Sequence, residues 1–256
     1  MLLAIDVGNS NVTLGLYQGE ELTASWRLAT RTEWTADEVG VQLVTLLRLR
    51  GHDPGVVTAA VVASVVPSLN PAFAEGCRRY LEREPLMVGP GTRTGVRITY
   101  DNPKDVGADR IANALAAFRR HGGPAIVIDF GTAVIYDAID AEGRYLGGAI
   151  APGIQVSVDA LVAHTARLPR VEALAPPEVI GRSTVTAIQS GLIWGVVGQV
   201  EGMVRRFSAE LGGTPRVIAT GGHAELVAGL TDAIDTVEPT LTLEGLRLIH
   251  LQNEPR

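Results

Sequence analysis

The sequence predicts an α/β protein built from two copies of one unit, and three observations carry the prediction. First, Leu3-Ala4-Ile5-Asp6-Val7-Gly8-Asn9-Ser10 and Ile126-Val127-Ile128-Asp129-Phe130-Gly131-Thr132-Ala133 are both apolar runs that end in Asp-x-Gly and small polar residues. Asp129 stands 123 positions after Asp6, close to half of the 256 residues, which reads as an internal duplication. Second, each run is followed by two more strand-like stretches: Val12 to Tyr17 and Glu21 to Leu28, then Val134 to Ile139 and Arg144 to Ile150. Third, strand and helix patterns alternate through the rest of each half, as in layered α/β domains. The expected domains are residues 1–121 and 122–256, with a ligand-binding cleft between them.

In the first half the apolar runs show no alternation, so the strands are expected to be covered on both faces. Thr35 to Arg50 reads as a helix, with Thr35 and Glu38 forming a capping box and Gly51 ending it. Val56 to Val66 reads as a buried strand, Pro67 to Leu81 as a helix and Leu86 to Val88 as a short strand. A helix from about Val106 to His121 carries Ile111, Ala114, Leu115 and Phe118 on one stripe and stops at Gly122-Gly123. In the second half a Pro-rich loop spans Arg167 to Pro177. A long helix covers Thr184 to Leu211, with Gly191, Gly195 and Gly198 permitting close packing against a neighbour. Strand Arg216 to Ala219, the turn Thr220-Gly221-Gly222, helix His223 to Gly229 and helix Leu241 to Gln252 complete it.

Composition excludes several chemistries. Of the 22 basic residues only Lys104 is a lysine, so there is no Gly-Lys-Ser/Thr phosphate loop and scarcely a candidate for Schiff-base chemistry. A net charge of −6 argues against nucleic acid as a partner. The single cysteine, Cys77, allows no internal disulfide, which fits a cytoplasmic location. The N-terminal run is interrupted by Asp6 and lacks a basic flank, so it does not read as a signal peptide, and no stretch is apolar enough to span a membrane. The five histidines have no metal-ligand spacing. Cys77, Lys104, the paired arginines and the three tryptophans read as packing or solvated positions.

Two constellations carry chemistry. The turn Asp6-Val7-Gly8-Asn9-Ser10-Asn11 lets backbone approach an anion, while the Asp6 carboxylate suits a hydrated magnesium ion between it and phosphate. The same residues also suit an ordinary hairpin turn with Asp6 as a backbone acceptor. Asp129-Phe130-Gly131-Thr132 repeats the loop, and Thr220-Gly221-Gly222 adds a third. In Gly107-Ala108-Asp109-Arg110, Asp109 lies nearly opposite the apolar stripe, so it is expected to face solvent or a cleft. There it is either an ordinary acidic helix start or a base that orients a substrate hydroxyl, with Arg110 binding an anionic group; a carboxylate of ordinary pKa suffices for phosphoryl transfer.

Two Asp-Gly loops on duplicated domains plus a Gly-Gly turn resemble the actin, hexokinase and sugar-kinase superfamily. That resemblance implies ribonuclease-H-like/actin-like domains with ATP in the interdomain cleft and the Gly-Gly turn against the adenosine. More specifically, the chain resembles the type III pantothenate kinases along nearly its whole length. The matching stretches are Asp6 to Ser10, Val61 to Pro67, Asp101-Asn102-Pro103 with Gly107 to Arg110, Asp129 to Ala133, Tyr145 to Gly148 with Ile150 to Ile154, Leu168 to Val171, Gln189 to Gly191, and Leu241 to Leu246. The family transfers the γ-phosphate of ATP to pantothenate, the first step of coenzyme A synthesis. It needs magnesium and a monovalent cation (potassium or ammonium) and works as a homodimer.

The resemblance implies a role for each matched residue. Asp6, Val7, Gly8, Asn9, Ser10, Asn11, Val12 and Thr13 would bind ATP together with Thr132, Gly221 and Gly222, and Asp6 would lie near magnesium. Asp129 would hold the monovalent cation, and Asp109 would accept the proton. Tyr100, Gly107, Ala108, Asp109, Arg110 and Thr184 would line the pantothenate site, where the Arg110 guanidinium suits the substrate carboxylate. One departure stands out: the family usually places hydroxyl or amide side chains where this chain has Val134 and Ile135, which predicts weaker nucleotide or cation binding rather than lost activity. The alternative reading is a non-catalytic regulator of the same family, an accessory factor for transcription.

Overall fold

The structure, a computed structural model, describes residues 1–165 and 168–254. It contains two five-stranded sheets with one and the same topology. The first is built from β1 (Leu2–Val7), β2 (Asn11–Gln18), β3 (Glu21–Ala29), β4 (Ala59–Ser64) and β5 (Leu86–Met87), in the order β3-β2-β1-β4-β5. The second uses β6 (Ala125–Phe130), β7 (Ala133–Ile139), β8 (Tyr145–Pro152), β9 (Arg216–Thr220) and β10 (Thr236–Val237), in the order β10-β9-β6-β7-β8. In each, the lead strand pairs antiparallel with its hairpin partner and parallel with the strand after the crossover. The duplication inferred from the Asp-x-Gly repeat is thus a repeat of strand order and direction.

Continuous apolar strands occur in the first sheet because both its faces are covered. On one face Leu3, Ile5, Val7, Val12, Leu14 and Leu16 pack with Val39, Leu43 and Leu47 of α1 (Ala36–Leu49) and Phe73, Cys77 and Leu81 of α2 (Asn70–Leu81). On the other, Ala4, Tyr17, Val61 and Ala63 meet Ala108, Ala112 and Leu115 of α3 (Ala108–His121). Leu243, Leu246 and Ile249 of α7 (Leu241–Asn253) close that face, each contributing about 1.5–3 kcal/mol by burial. In the second sheet Ile126, Ile128, Phe130, Val134 and Tyr136 share a core with three helices. These are α4 (Ile154–His164), α5 (Thr184–Leu211) and α6 (Ala224–Ala228).

Compactness divides the chain into one unit of residues 1–96, 101–116 and from Leu241 on, and another of 97–100 and 117–240. This differs from a division at 121/122, which gave Leu241 onward to the second domain. The physical reason is the apolar face of α7 on the first sheet, reinforced by the buried Arg247–Glu244 pair at 2.8 Å, whose guanidinium lies 5.9 Å from the Tyr17 ring centre.

Most helices fall where the sequence placed them. The Thr35/Glu38 capping box forms, and α5 begins and ends at the expected residues with Ser183 as its cap. The buried strand is shorter than expected: Pro54–Val56 is a 3-10 turn capped by Asp53, and β4 starts only at Ala59. The helix predicted from about Val106 starts at Ala108, after a 3-10 turn at Pro103–Asp105. Helix α4 and strand β10 had no expected counterpart. Among the described residues, no helix is long and apolar enough to cross a membrane.

Candidate functional site

Strand register decides which residues of each hairpin can reach a ligand, because paired residues share a face and the faces alternate. In the first hairpin Asp6 pairs with Thr13, and Val7 with Val12. Val7 and Val12 are fully buried in the core, so their side chains are committed to packing, while Asp6 and Thr13 lie half-buried on the opposite face. The connection closes with Gly8 N–H donating to Asn11 O at 3.0 Å and Thr30 Oγ1 donating to Gly8 O at 2.7 Å. Asn9 and Ser10 stand exposed at the tip.

The second hairpin repeats this plan with one residue fewer. Asp129 pairs with Ile135, and Phe130 with Val134; Gly131 N–H donates to Ala133 O at 3.0 Å and leaves Thr132 exposed. The two residues of the departure therefore have different fates. Val134 is a core residue at 1% exposure, so its side chain is committed to packing, contrary to the expectation that both positions bear on ligand binding. Ile135 alone stands beside the carboxylate, where the first hairpin has Thr13.

Gly221 shows why the third loop contains glycine. It follows Thr220, the β9 partner of Asp129, has φ +92°, and a Cβ on it would lie 2.5 Å from Asp129 Oδ1 and 2.7 Å from the Phe130 backbone. The turn thus lies against the second hairpin, within the same compact unit, and only hydrogen fits between them. Gly222 is exposed beside it.

Gly107 precedes α3, and Ala108 to Arg110 open it. Gly107 O accepts from Ile111 N, and a Cβ on Gly107 would overlap Asp109 Oδ1 and approach Val65 Cγ1 at 3.4 Å. Val65 N–H in turn donates to Val7 O at 3.0 Å. The start of α3 is therefore placed, through Val65, at the base of the Asp6 hairpin. Asp109 Oδ1 accepts from Arg110 N–H at 2.8 Å. The Asp109 residue is half-buried, compatible with the cleft side of the expected solvent-or-cleft placement, although residues Ile111 to Ala117 are buried all round α3, including Asn113, which accepts from Thr242 at 2.7 Å. That burial pushes the Asp109 pKa above the usual carboxylate range, against the opposing pull of the Arg110 amide and guanidinium. Arg110 itself is 7% exposed.

Tyr100 and Thr184 belong to the other compact unit. Tyr100 is half-buried against Tyr145. Thr184, in the first turn of α5, lines a groove of about 1250 Å³ between α4 and α5, with Val156, Leu161, Arg182 and Ile188. The groove escaped the sequence reading because α4 did: its apolar residues point to several sides, with Val156 and Leu161 exposed. Gly191, Gly195 and Gly198 have no atom within 4 Å of a Cβ position among the described residues, so none of those packs into the space the glycines leave.

The remaining candidates are quiet. Cys77 is buried and its pKa is pushed up to about 12 by desolvation, so it carries no reactive thiolate. Lys104 is exposed, Arg78 and Arg79 pair with Glu75 and Glu84 or Asp37, and Trp34 packs on Phe73. No cluster of three or more His, Cys, Asp or Glu able to hold a metal occurs among the described residues.

Comparison with known proteins places these features. The sequence model of the type III pantothenate kinase family matches residues 2–206. A type III pantothenate kinase from Moorella thermoacetica is 50% identical over 253 residues, covering 99% of this chain and all of the relative. Among solved structures, a Campylobacter jejuni protein assigned to the Baf family of transcriptional activators superposes with a TM-score of 0.63 at 19% identity over 98% of each chain. The inorganic polyphosphate/ATP-glucomannokinase of Arthrobacter sp. strain KM gives 0.52 at 15% identity over 98% of this chain and 99% of its own. At such identities the structural likeness speaks for the fold alone, two α/β units of one topology. The family match and the full-length relative speak for more: the chain belongs to the type III pantothenate kinase family.

Proposed function

We propose that this enzyme transfers the γ-phosphate of ATP to the primary hydroxyl of pantothenate, in coenzyme A synthesis, with Asp109 as the proton acceptor. The single observation that carries the assignment of the base is the placement of Asp109. Its carboxylate is half-buried, held by the Arg110 amide, and set through Gly107 and Val65 at the base of the Asp6 hairpin. Burial raises its pKa above that of an ordinary carboxylate, the direction that makes a carboxylate a stronger base. Its task is to orient the hydroxyl and take its proton as the phosphoryl group arrives.

Other roles follow the same reading. The backbone of Asp6 to Thr13, with Thr132, Gly221 and Gly222, binds ATP; the Val7 and Val12 side chains support that backbone from the core. Tyr100, Gly107, Ala108, Arg110 and Thr184 bind pantothenate, Arg110 offering its guanidinium to the carboxylate. The half-buried Asp6 carboxylate fits a magnesium ion that would take its other ligands from phosphate and water. Asp129, next to last in β6 and beside the Gly221 turn, is the carboxylate assigned to a potassium or ammonium ion. Bound there, the two cations would neutralise phosphate charge. A homodimer belongs to the proposal too, supported by the open glycine face of α5 and the exposed apolar Val156, Val179, Ile180 and Val185. So does a cytoplasmic location, supported by the single, reduced cysteine. The regulatory alternative is not favoured, since the relative that is half identical over its full length is a kinase.

The test is pantothenate-dependent ADP release by the purified protein with ATP and magnesium, with and without potassium. Turnover is expected to need potassium, and Asp109→Asn to lower kcat by about 10²–10⁴-fold with substrates still bound. Because burial raises the Asp109 pKa, the acid limb of kcat/KM lies above the ordinary carboxylate value of about 3.9. In the folded protein this carboxyl holds its proton more firmly than in the unfolded chain, so its ionised form opposes folding, and Asp109→Asn should not lower Tm. Unchanged turnover in Asp109→Asn would remove it from the role of base.

A further inference from the structure

Tyr100 sits at the end of residues 97–100, a segment hydrogen-bonded to Tyr145 at the head of β8 in the second sheet. Tyr145 N–H donates to Arg97 O at 2.9 Å, and Tyr145 O accepts from both Thr99 N–H and Thr99 Oγ1, each at 2.9 Å. Residues Ile98 and Tyr145 form a parallel bridge there. The Tyr145 ring is fully buried, and its centre lies 6.3 Å from that of Tyr100 with the planes tilted by 51°, a favourable aromatic geometry. Gly147, two residues further on, lies under the Tyr100 ring, its Cβ position 3.4 Å from Cδ2 and Cε2.

The far end of Tyr145 is held as well. Its hydroxyl donates to Asp137 Oδ1 at 2.8 Å, and Asp137, on β7, is 1% exposed. A buried carboxylate on a strand costs free energy that an apolar residue would not, unless it is fully hydrogen-bonded. Here it gives the phenol ring one defined orientation. Side chains that touch substrate keep their geometry only when packing and a second layer of hydrogen bonds hold them.

We propose that Asp137 and Tyr145 are positioning residues for pantothenate: Asp137 orients the Tyr145 ring, and Tyr145 sets both the backbone of 97–100 and the ring of Tyr100. The inference rests on the reading that Tyr100 lines the pantothenate site. It predicts that disturbing the pair acts on pantothenate and spares ATP.

The experiment compares Tyr100→Ala, Tyr145→Phe, Asp137→Asn and Asp137→Leu in the full chain, measuring kcat, both KM values, pantothenate binding by calorimetry, and Tm. Tyr145→Phe keeps the ring and removes the hydroxyl bond; it is expected to raise the pantothenate KM about five- to tenfold, with kcat and the ATP KM within about twofold. Asp137→Leu should match it, and Asp137→Asn, whose amide oxygen still accepts, should stay within about threefold of wild type. If Asp137→Leu fails to fold, Tyr145→Phe and Asp137→Asn decide. A Tyr100→Ala that weakens pantothenate binding alongside a Tyr145→Phe that only lowers Tm would overturn the positioning role and leave the Tyr100 reading intact. A Tyr100→Ala with unchanged pantothenate binding would remove both.

Discussion

The hairpin β1–β2 and the hairpin β6–β7 are the same device with different chemistry at one place. Both set an aspartate next to last in the lead strand, both bury the flanking residues in a core, and both close through a glycine amide. The second is a residue shorter, and opposite its aspartate stands Ile135 where the first has Thr13. The core-facing pairs, Val7 with Val12 and Phe130 with Val134, are equivalent. A duplicated fold therefore preserves the packed face, where each methylene matters, and varies the opposite face, where the ligands are proposed to bind.

The largest effect should come from the two aspartates. Asp6→Ala removes the carboxylate proposed to face magnesium and is expected to lower kcat/KM by about 10²–10³-fold, read by steady-state assay. Asp129→Ala should cost less, about 10–100-fold, because the cation proposed for it is monovalent; the potassium dependence should disappear with it. Equal losses, or a potassium response that survives in Asp129→Ala, would break the assignment of different cations to the two hairpins.

Gly221→Ala ranks next. The new Cβ meets Asp129 and the Phe130 backbone at φ +92°, so about 1–3 kcal/mol of stability should be lost. Tm should fall by about 2–4 °C per kcal/mol, as calorimetry would show.

The smallest effect separates the two apolar residues of the second hairpin. Val134→Thr places a hydroxyl in the core and is expected to cost about 1–3 kcal/mol of stability with an unchanged ATP KM. Ile135→Thr restores the arrangement of the first hairpin; Tm should barely move while the ATP or potassium affinity improves about two- to fivefold. The opposite pattern would mean that the register, and with it the comparison, has been misjudged.

Much of this was legible in the sequence because the signals were local. An apolar run closed by Asp-x-Gly marks a strand and its turn, and β1 and β6 begin and end 123 residues apart. The capping box at Thr35 and Glu38 and the full span of α5 were readable for the same reason. Helix α4 was not, since only Ile154 and Val158 are buried and the apolar remainder leaves no amphipathic stripe. The half-burial of Asp109 was not either, because the wheel of α3 shows one stripe while neighbours distant in sequence, α7 among them, cover more of the helix.

The sequence by itself determined the duplication, the lead strands and their turns, the family, and the candidate residues, all of which reside in the order of neighbouring side chains. Only the tertiary structure decided that α7 belongs with the first sheet, that Val134 is core and Ile135 is not, that Asp109 has a raised pKa, and that Tyr145 links Asp137 to Tyr100. Those properties depend on burial and on partners far along the chain, and desolvation is a property of a place, not of a residue type.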